Sequence, residues 1–232
     1  MVGKLIVIDG TDGSGKATQT ELLLERLRRD GYRVECADFP QYGKRSAAMV
    51  EDYLNGKFGT VKEVGPYRAS IFYAIDRFAA SFQIRQWLEE GKIVISNRYV
   101  SANMGHQAGT ILDSKERDQY LEWLHHLEFE IFKIPRPDAT ILLYMPPAIG
   151  QTLVDKKGNR EYVHGNKRDI LESDLEHLNN AAQAYLYCAK KFNWPIVHCA
   201  PANKLLSKEQ IHEELYKKLK EFLEMPSASK PA

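Results

Sequence analysis

The stretch Asp9-Gly10-Thr11-Asp12-Gly13-Ser14-Gly15-Lys16-Ala17-Thr18-Gln19 carries the residue types and spacing that point most directly to chemistry. Glycines at 10, 13 and 15 permit backbone shapes that a side chain would forbid. The exposed N–H groups can then wrap a polyphosphate at the positive end of a following helix, with Lys16 reaching the terminal phosphates. The pattern Gly-x-x-x-x-Gly-Lys normally continues with a hydroxyl that meets a magnesium ion. Here Ala17 stands in that place and the nearest hydroxyl is one residue later, at Thr18.

Further polar and aromatic groups recur at short intervals. Asp38-Phe39-Pro40-Gln41-Tyr42-Gly43 places two rings on a turn-forming loop, where packing is the default reading of Phe39 and Tyr42. Tyr73 and Arg77 are four apart and share one helix face. A ring and a guanidinium side by side suit a nucleobase; a core tyrosine beside an arginine reaching solvent is the equal alternative. Asn97-Arg98-Tyr99 ends an apolar run, where Arg98 is placed either to clamp phosphates or to form a surface ion pair. Ser101 to Gln107 is dense in small and amide side chains, as expected of a wall around a polar ligand. His106 has no metal partner at ligand spacing and reads as a pocket or packing histidine. Between Asp155 and Asp169 the apolar periodicity breaks into a basic, glycine-containing segment, either a solvated loop or a flap that covers phosphates.

The elements that must hold these groups follow from the apolar pattern. Five short runs read as buried strands: Lys4 to Asp9, Arg33 to Asp38, Lys92 to Asn97, Ala139 to Met145 and Pro195 to Cys199. Helical spacing covers Ala17 to Asp30, Ser46 to Asn55, Pro66 to Glu90, Lys115 to Phe132, Asp169 to Phe192 and Lys208 to Glu224. Strand and helix alternate, which implies an α/β fold with a five-stranded parallel sheet flanked by helices. Ligands in such sheets sit beyond the carboxyl ends of the strands, where the motifs collect. Residues 1–225 read as a single domain with a basic lid at about 155–168, and 226–232 as a frayed tail.

Composition narrows the classes further. The chain has 232 residues, 44% of them apolar, and a net charge of +1, a balance that calls for neither nucleic acid nor a membrane surface. Cys36, Cys188 and Cys199 are far apart and suggest neither a disulfide framework nor a zinc site. With no secretory pattern at the start and no apolar stretch of membrane-spanning length, a cytoplasmic protein is expected.

Taken in order, Gly-Thr-Asp-Gly-Ser-Gly-Lys with Thr18-Gln19, Phe39-Pro40-x-Tyr42-Gly43, Tyr73-x-x-x-Arg77, Asn97-Arg98-Tyr99 and Asp169-x-x-Glu172 after a basic segment resemble the thymidylate kinase family. The resemblance runs from Leu5 to about Tyr185. It implies transfer of the ATP γ-phosphoryl group to dTMP, giving dTDP and ADP, with Mg2+ accompanying ATP. It implies that Gly10, Thr11, Asp12, Gly13, Ser14, Gly15, Lys16, Ala17 and Thr18 hold ATP, and that Asp12 also contacts the acceptor's 3′-hydroxyl. Phe39 and Tyr42 would border the acceptor phosphate, Tyr73 would stack on thymine and Arg77 would read its edge. Arg98 would bridge the two sets of phosphates, while Asn103 and His106 or Gln107 close the pocket. With no arginine inside the glycine-rich loop, the additional catalytic cation is expected from Arg160 or Arg168; Lys156, Lys157 and Lys167 lack the bidentate fork.

The sequence departs from the family at three places. Asn97 stands where Asp is usual, which with Ala17 leaves magnesium held through phosphates and water, near Thr18 and Asn97. Adenylate kinases resemble the Ala17-Thr18-Gln19 variant and hold the metal in that way. His106 replaces an aromatic that crowds out a ribose 2′-hydroxyl, and Tyr73 stands where Phe is common. The family is commonly dimeric, and the apolar helix from Tyr120 to Phe132 is one candidate interface, although core packing explains it equally. The alternatives are a kinase for another pyrimidine nucleotide or a deoxynucleoside, and a nucleotide-binding protein with weakened catalysis.

Overall fold

The computed structural model describes residues 3–155 and 175–224; the segment holding Arg160 and Arg168, and with it most of the expected lid, lies outside the described residues. Five strands, β1 (Lys4–Gly10), β2 (Val34–Asp38), β3 (Ile93–Asn97), β4 (Ala139–Tyr144) and β5 (Ile196–His198), form one sheet in the order β2-β3-β1-β4-β5. Every pairing is parallel. The strands therefore need both faces covered, which explains why β1 is an unbroken apolar run rather than an alternating one.

Alternate residues of β1 feed two cores. Ile6 and Ile8 pack with Leu23, Leu24 and Leu27 of helix α1 (Lys16–Arg29) and with Ile211, Leu215 and Leu219 of α8 (Lys208–Glu224). Leu5 and Val7 face the other way. Their partners are Ile84 of α3 (Val61–Glu89), Val100 of α4 (Val100–His106), Leu121 and Leu124 of α5 (Ser114–His125), and Ala184 and Cys188 of α7 (Leu175–Lys191). Each fully buried Leu, Ile or Val in these layers contributes roughly 1.5–3 kcal/mol. Two further helices, α2 (Ala48–Leu54) and α6 (Pro147–Asp155), follow β2 and β4.

Local chemistry sets the helix ends. Thr60 and Glu63 form a reciprocal capping box at the start of α3. Gly65, at φ 73°, then breaks the spiral so that the regular helix begins at Pro66, as the proline implies. The expected helix Lys115 to Phe132 divides into α5 and a π-helical turn, His126–Ile131. Ser101 to Gln107, expected only as a pocket wall, is mostly helix. Tyr120, Leu121 and Leu124 are buried in the core, so of the two explanations for this apolar helix core packing applies. Cys188 and Cys199 are buried, whereas Cys36 is exposed.

Strand register brings the carboxyl ends together. Asn97 lies opposite both Asp38 and Ile8, and Gly10 lies opposite Leu143. From β1 the chain crosses β3 to reach β2, and from β3 it crosses β1 to reach β4. The crevice between β1 and β3 is thus the topological switch point, and the loops after Gly10 and after Asn97 flank it.

Candidate active site

The loop after β1 is shaped by contacts that leave no room for side chains. A Cβ on Gly10, at φ 156°, would lie 2.0 Å from the Leu143 carbonyl oxygen, and one on Gly13, at φ 74°, would lie 2.3 Å from the Gly150 oxygen. Thr11 ties the loop to the end of β4: its hydroxyl donates to Met145 O and accepts from Met145 N, both at 2.8 Å. Lys16, at the head of α1, donates to Gly10 O at 2.8 Å and Thr11 O at 2.9 Å. Its ammonium is therefore held against the concave side of the loop, where the amides would meet an anion.

Arg98 occupies the other side of the crevice in a left-handed backbone conformation, φ 63°. Such a conformation is costly for a side-chain-bearing residue and persists only where the surroundings over-determine it. Here the Arg98 N–H donates to Ile8 O at 3.0 Å, and its carbonyl accepts from Ser96 Oγ at 2.6 Å. The guanidinium is thereby aimed into the crevice, where Nη2 donates to Asp12 Oδ1 at 3.0 Å and Nη1 meets His106 Nε2 at 3.1 Å.

Arginine has no acceptor, so His106 Nε2 accepts and its proton resides on Nδ1. Burial, followed by the charge of Arg98, pushes the imidazole down to about 3, against the pull of Asp12. His106 is thus neutral near pH 7. Burial raises the carboxyl of Asp12, but the charges of His106, Arg98 and Lys16 outweigh it and hold the group well below the usual carboxylate range. Since His106 is neutral near pH 7, Arg98 and Lys16 supply that field there, with Lys16 Nζ 3.9 Å away.

A buried carboxylate that sequence reasoning passed over, Asp9, braces this corner. Its oxygens accept from Gly10 N at 2.8 Å, Ser101 Oγ at 2.6 Å and Tyr185 OH at 3.0 Å, joining β1, α4 and α7. Burial and Asp9 keep the Tyr185 phenol protonated by raising its pKa. Tyr185 in turn lies against Gly105, where a Cβ would come within 2.2 Å of its ring.

The second group of expected residues lies across α4. Asn103 Nδ2 donates to Ser70 O of α3 at 3.4 Å, and Ser70 and Tyr120 share a hydroxyl contact at 2.7 Å. Tyr73 is half-buried against Tyr53, with ring centroids 6.4 Å apart. Arg77 is buried and paired with Glu128, so it does not reach solvent. Phe39 is a core residue tilted against Tyr99 at 5.7 Å, while Tyr42 stands 38% exposed on the same loop. Gln107 is buried at the end of α4.

That loop is anchored by Asp76, a second carboxylate missed in the sequence. It accepts from Gln41 N at 2.8 Å, Gln41 Nε2 at 3.0 Å and Ser46 Oγ at 2.6 Å. Asp76 and Glu128 leave the same trace in the chain, a carboxylate on a helical face that is otherwise packed. Glu128 stands four residues after the buried Leu124.

The crevice also has oxygen donors suited to a hard cation. Asn97 Nδ2 donates to Asp38 Oδ1 at 2.7 Å, leaving the buried Asn97 Oδ1 without a hydrogen-bond partner among the described residues. Burial raises the Asp38 carboxyl, partly offset by Asn97 and Arg98. A carboxylate, that of Asp38 on the neighbouring strand, thus lies beside Asn97. Among the described residues no cluster of three or more His, Cys, Asp or Glu is placed to hold a metal alone. None of the described helices is long and apolar enough to cross a membrane.

Comparison with known proteins extends these observations. A family model described as thymidylate kinase matches residues 8–214. The thymidylate kinase of Mycobacterium tuberculosis strain H37Rv is 30% identical over 184 residues, spanning 78% of this chain and 83% of that protein. The probable thymidylate kinase of Pyrococcus abyssi is 28% identical over 216 residues, spanning 93% and 95%. A solved thymidylate kinase from Candida albicans shares the fold, with a TM-score of 0.72 at 20% identity over 98% of this chain and 96% of that one.

Proposed function

We infer that this chain, which belongs to the thymidylate kinase family, transfers the γ-phosphoryl group of ATP to the 5′-phosphate of dTMP, giving dTDP and ADP. The observation that carries the reading is the segment after β3, which serves both groups: Arg98 bonds Asp12 of the glycine-rich loop, the next residue, Tyr99, accepts from Arg77 through its carbonyl, and Asn103 bonds Ser70 O of α3. Donor and acceptor nucleotides would then lie end to end, with α4 between the two groups.

Phosphoryl transfer asks little covalent chemistry of a protein, so positioning and charge neutralisation carry the rate. An anionic oxygen of the acceptor phosphate attacks the γ-phosphorus in line, the bond to the β,γ-bridging oxygen breaks, and ADP leaves with those electrons. No general base is required. Lys16 and the loop amides hold the ATP phosphates, exchanging the present Lys16 contacts to Gly10 O and Thr11 O for phosphate oxygens. Arg98 stabilises charge between donor and acceptor, with Asp12 and His106 fixing its plane. Tyr73 stacks on the base, Arg77 donates to its edge, and Asn103, His106 and Gln107 close the pocket around base and sugar. Phe39 acts from the core as the floor of the phosphate loop, and Tyr42 borders the phosphate directly.

Magnesium enters with ATP, and when bound it neutralises phosphate charge. Asp38 and Asn97 Oδ1 are the protein oxygens that would hold it, directly or through water. Residues 1–225 form the catalytic unit, with 155–168 as the lid that brings Arg160 or Arg168 to the phosphates. A cytoplasmic setting accords with the free thiols of Cys188 and Cys199.

A homodimer is part of the reading, through α3 rather than α5. The inward face of α3 carries Ser70, Ala74, Arg77 and Ser81, while Ile71, Ile75, Phe78 and Phe82 stand 38–61% exposed at helical spacing. An apolar stripe that faces out from a helix already packed on its other side suits a second copy.

The test is an acceptor panel of dTMP, dUMP, dCMP, dAMP and thymidine with ATP and Mg2+. Preference for dTMP is expected, and a clear preference for any other acceptor overturns the substrate assignment. Lys16→Met is expected to abolish turnover; near-normal rates in that variant would make the phosphate assignment wrong.

A further inference from the structure

The Arg77–Glu128 ion pair is the most deeply buried charge pair among the described residues, with side chains 1% and 0% exposed. Arg77 Nε donates to Glu128 Oε1 at 3.0 Å, Nη2 donates to the same oxygen, and Nη1 donates to Tyr99 O at 3.3 Å. A guanidinium has five N–H groups. Three are therefore committed within the protein and two remain, one on each terminal nitrogen.

Stability alone does not account for the pair. Desolvating two charges costs several kcal/mol, and an apolar pair of similar volume is commonly as stable. Glu128 Oε2 adds a further penalty, since it is buried without a hydrogen-bond partner among the described residues. The carboxylate also sits inside the π-helical turn His126–Ile131, a distortion found mostly at functional positions.

We propose that Glu128 is a positioning residue for recognition of the acceptor base. It fixes the plane of the Arg77 fork and cancels its charge, so that Arg77 offers two directed donors to a carbonyl-bearing, uncharged heterocycle instead of a cation to a phosphate. The contrast with the other side of the crevice is electrostatic. There two cations, Lys16 and Arg98, flank Asp12 beside a backbone cradle suited to phosphates, whereas Arg77 and Glu128 sum to zero. The proposal rests on the reading of Arg77 as the residue that meets the base.

Glu128→Gln keeps the shape and one acceptor but removes the charge. The KM for dTMP is expected to rise by about tenfold or more, the effect of one misaimed charge-assisted hydrogen bond. The kcat, the KM for ATP and the binding of 2-deoxyribose 5-phosphate, which lacks a base, are expected to hold. Inhibition by inorganic phosphate is expected to strengthen as the Arg77 charge is uncovered, a change that loosened packing would not produce. If Arg77→Met leaves the KM for dTMP unaltered, the reading of Arg77 fails and the role of Glu128 falls with it. If Arg77→Met raises that KM while Glu128→Gln alters neither it nor phosphate inhibition, the proposal alone is overturned. Should Glu128→Gln fail to fold, Glu128→Asp decides, because it retains the charge but withdraws it by one methylene: a raised KM for dTMP with unaltered sugar-phosphate binding supports the proposal, and an unaltered KM refutes it.

Discussion

The neutral, buried His106 makes the folded state sensitive to mild acid in a way that one substitution should remove. Its imidazole is pushed from the ordinary 6.5 down to about 3, so between those values the unfolded chain binds a proton that the folded one refuses. Stability from this residue is fully present above pH 6.5 and is lost as pH falls toward 3. Between pH 7 and pH 5 the loss amounts to about 2 kcal/mol, since the unfolded group is by then almost wholly charged and the folded group hardly at all. Asp12 moves stability in the same direction, but only below its ordinary value of 3.8, and so leaves this window clear. His106→Gln retains an acceptor for Arg98 Nη1 and cannot titrate. Urea unfolding of the nucleotide-free protein at both pH values should show wild type losing about 2 kcal/mol more than the variant, the contribution of one imidazole held neutral. Parallel losses in the two proteins would refute the burial argument and with it the assigned tautomer.

Three other perturbations test the frame around the site. Gly150→Ala places a Cβ 2.2 Å from Asp12 O; backbone cannot yield as a side chain tip would, so ATP binding measured by calorimetry should weaken by about 1–3 kcal/mol. Asp76→Asn leaves one acceptor oxygen where two now serve Gln41 and Ser46; the KM for the acceptor should rise by about fivefold to tenfold, the value of one buried hydrogen bond, while the KM for ATP stays constant. Although Cys36 is exposed as a residue, desolvation of its partly covered thiol and then the charge of Asp38 push that thiol up to about 11. Its alkylation should be slow at pH 7.5 and accelerate by about tenfold for each unit that pH rises toward 11, as the thiolate fraction grows; a plateau near pH 9 would contradict it.

Much of the frame was legible from periodicity. A parallel strand buried on both faces must be an unbroken apolar run, and β1, β3 and β4 are such runs. Helix α1 begins where the glycine-rich loop ends, and Gly15 takes the left-handed conformation at the turn into it. Pro66 marked the regular start of α3, although the capped turn before it was not foreseen. Less legible were α4, whose small and amide residues give no apolar stripe, and the π-helical turn, which differs from α-helix by hydrogen-bond register rather than by residue type.

The local sequence determined the loop proposed to hold phosphates, because a cradle of backbone amides needs only closely spaced glycines, a lysine and the strand and helix on either side. It also placed Tyr73 and Arg77 on one face, since spacing along a helix is a local property. Only the tertiary structure decided what each charge is paired with. Asp12 with Arg98, Asp38 with Asn97 and Arg77 with Glu128 are 86, 59 and 51 residues apart, and no periodicity joins them. Those pairings determine whether an arginine is a free cation or a neutralised fork, and whether an asparagine has a carboxylate at its side. Such properties depend on distance and burial in space, which the chain acquires when β2, β3 and β1 come side by side and the π-helical turn after α5 packs on α3.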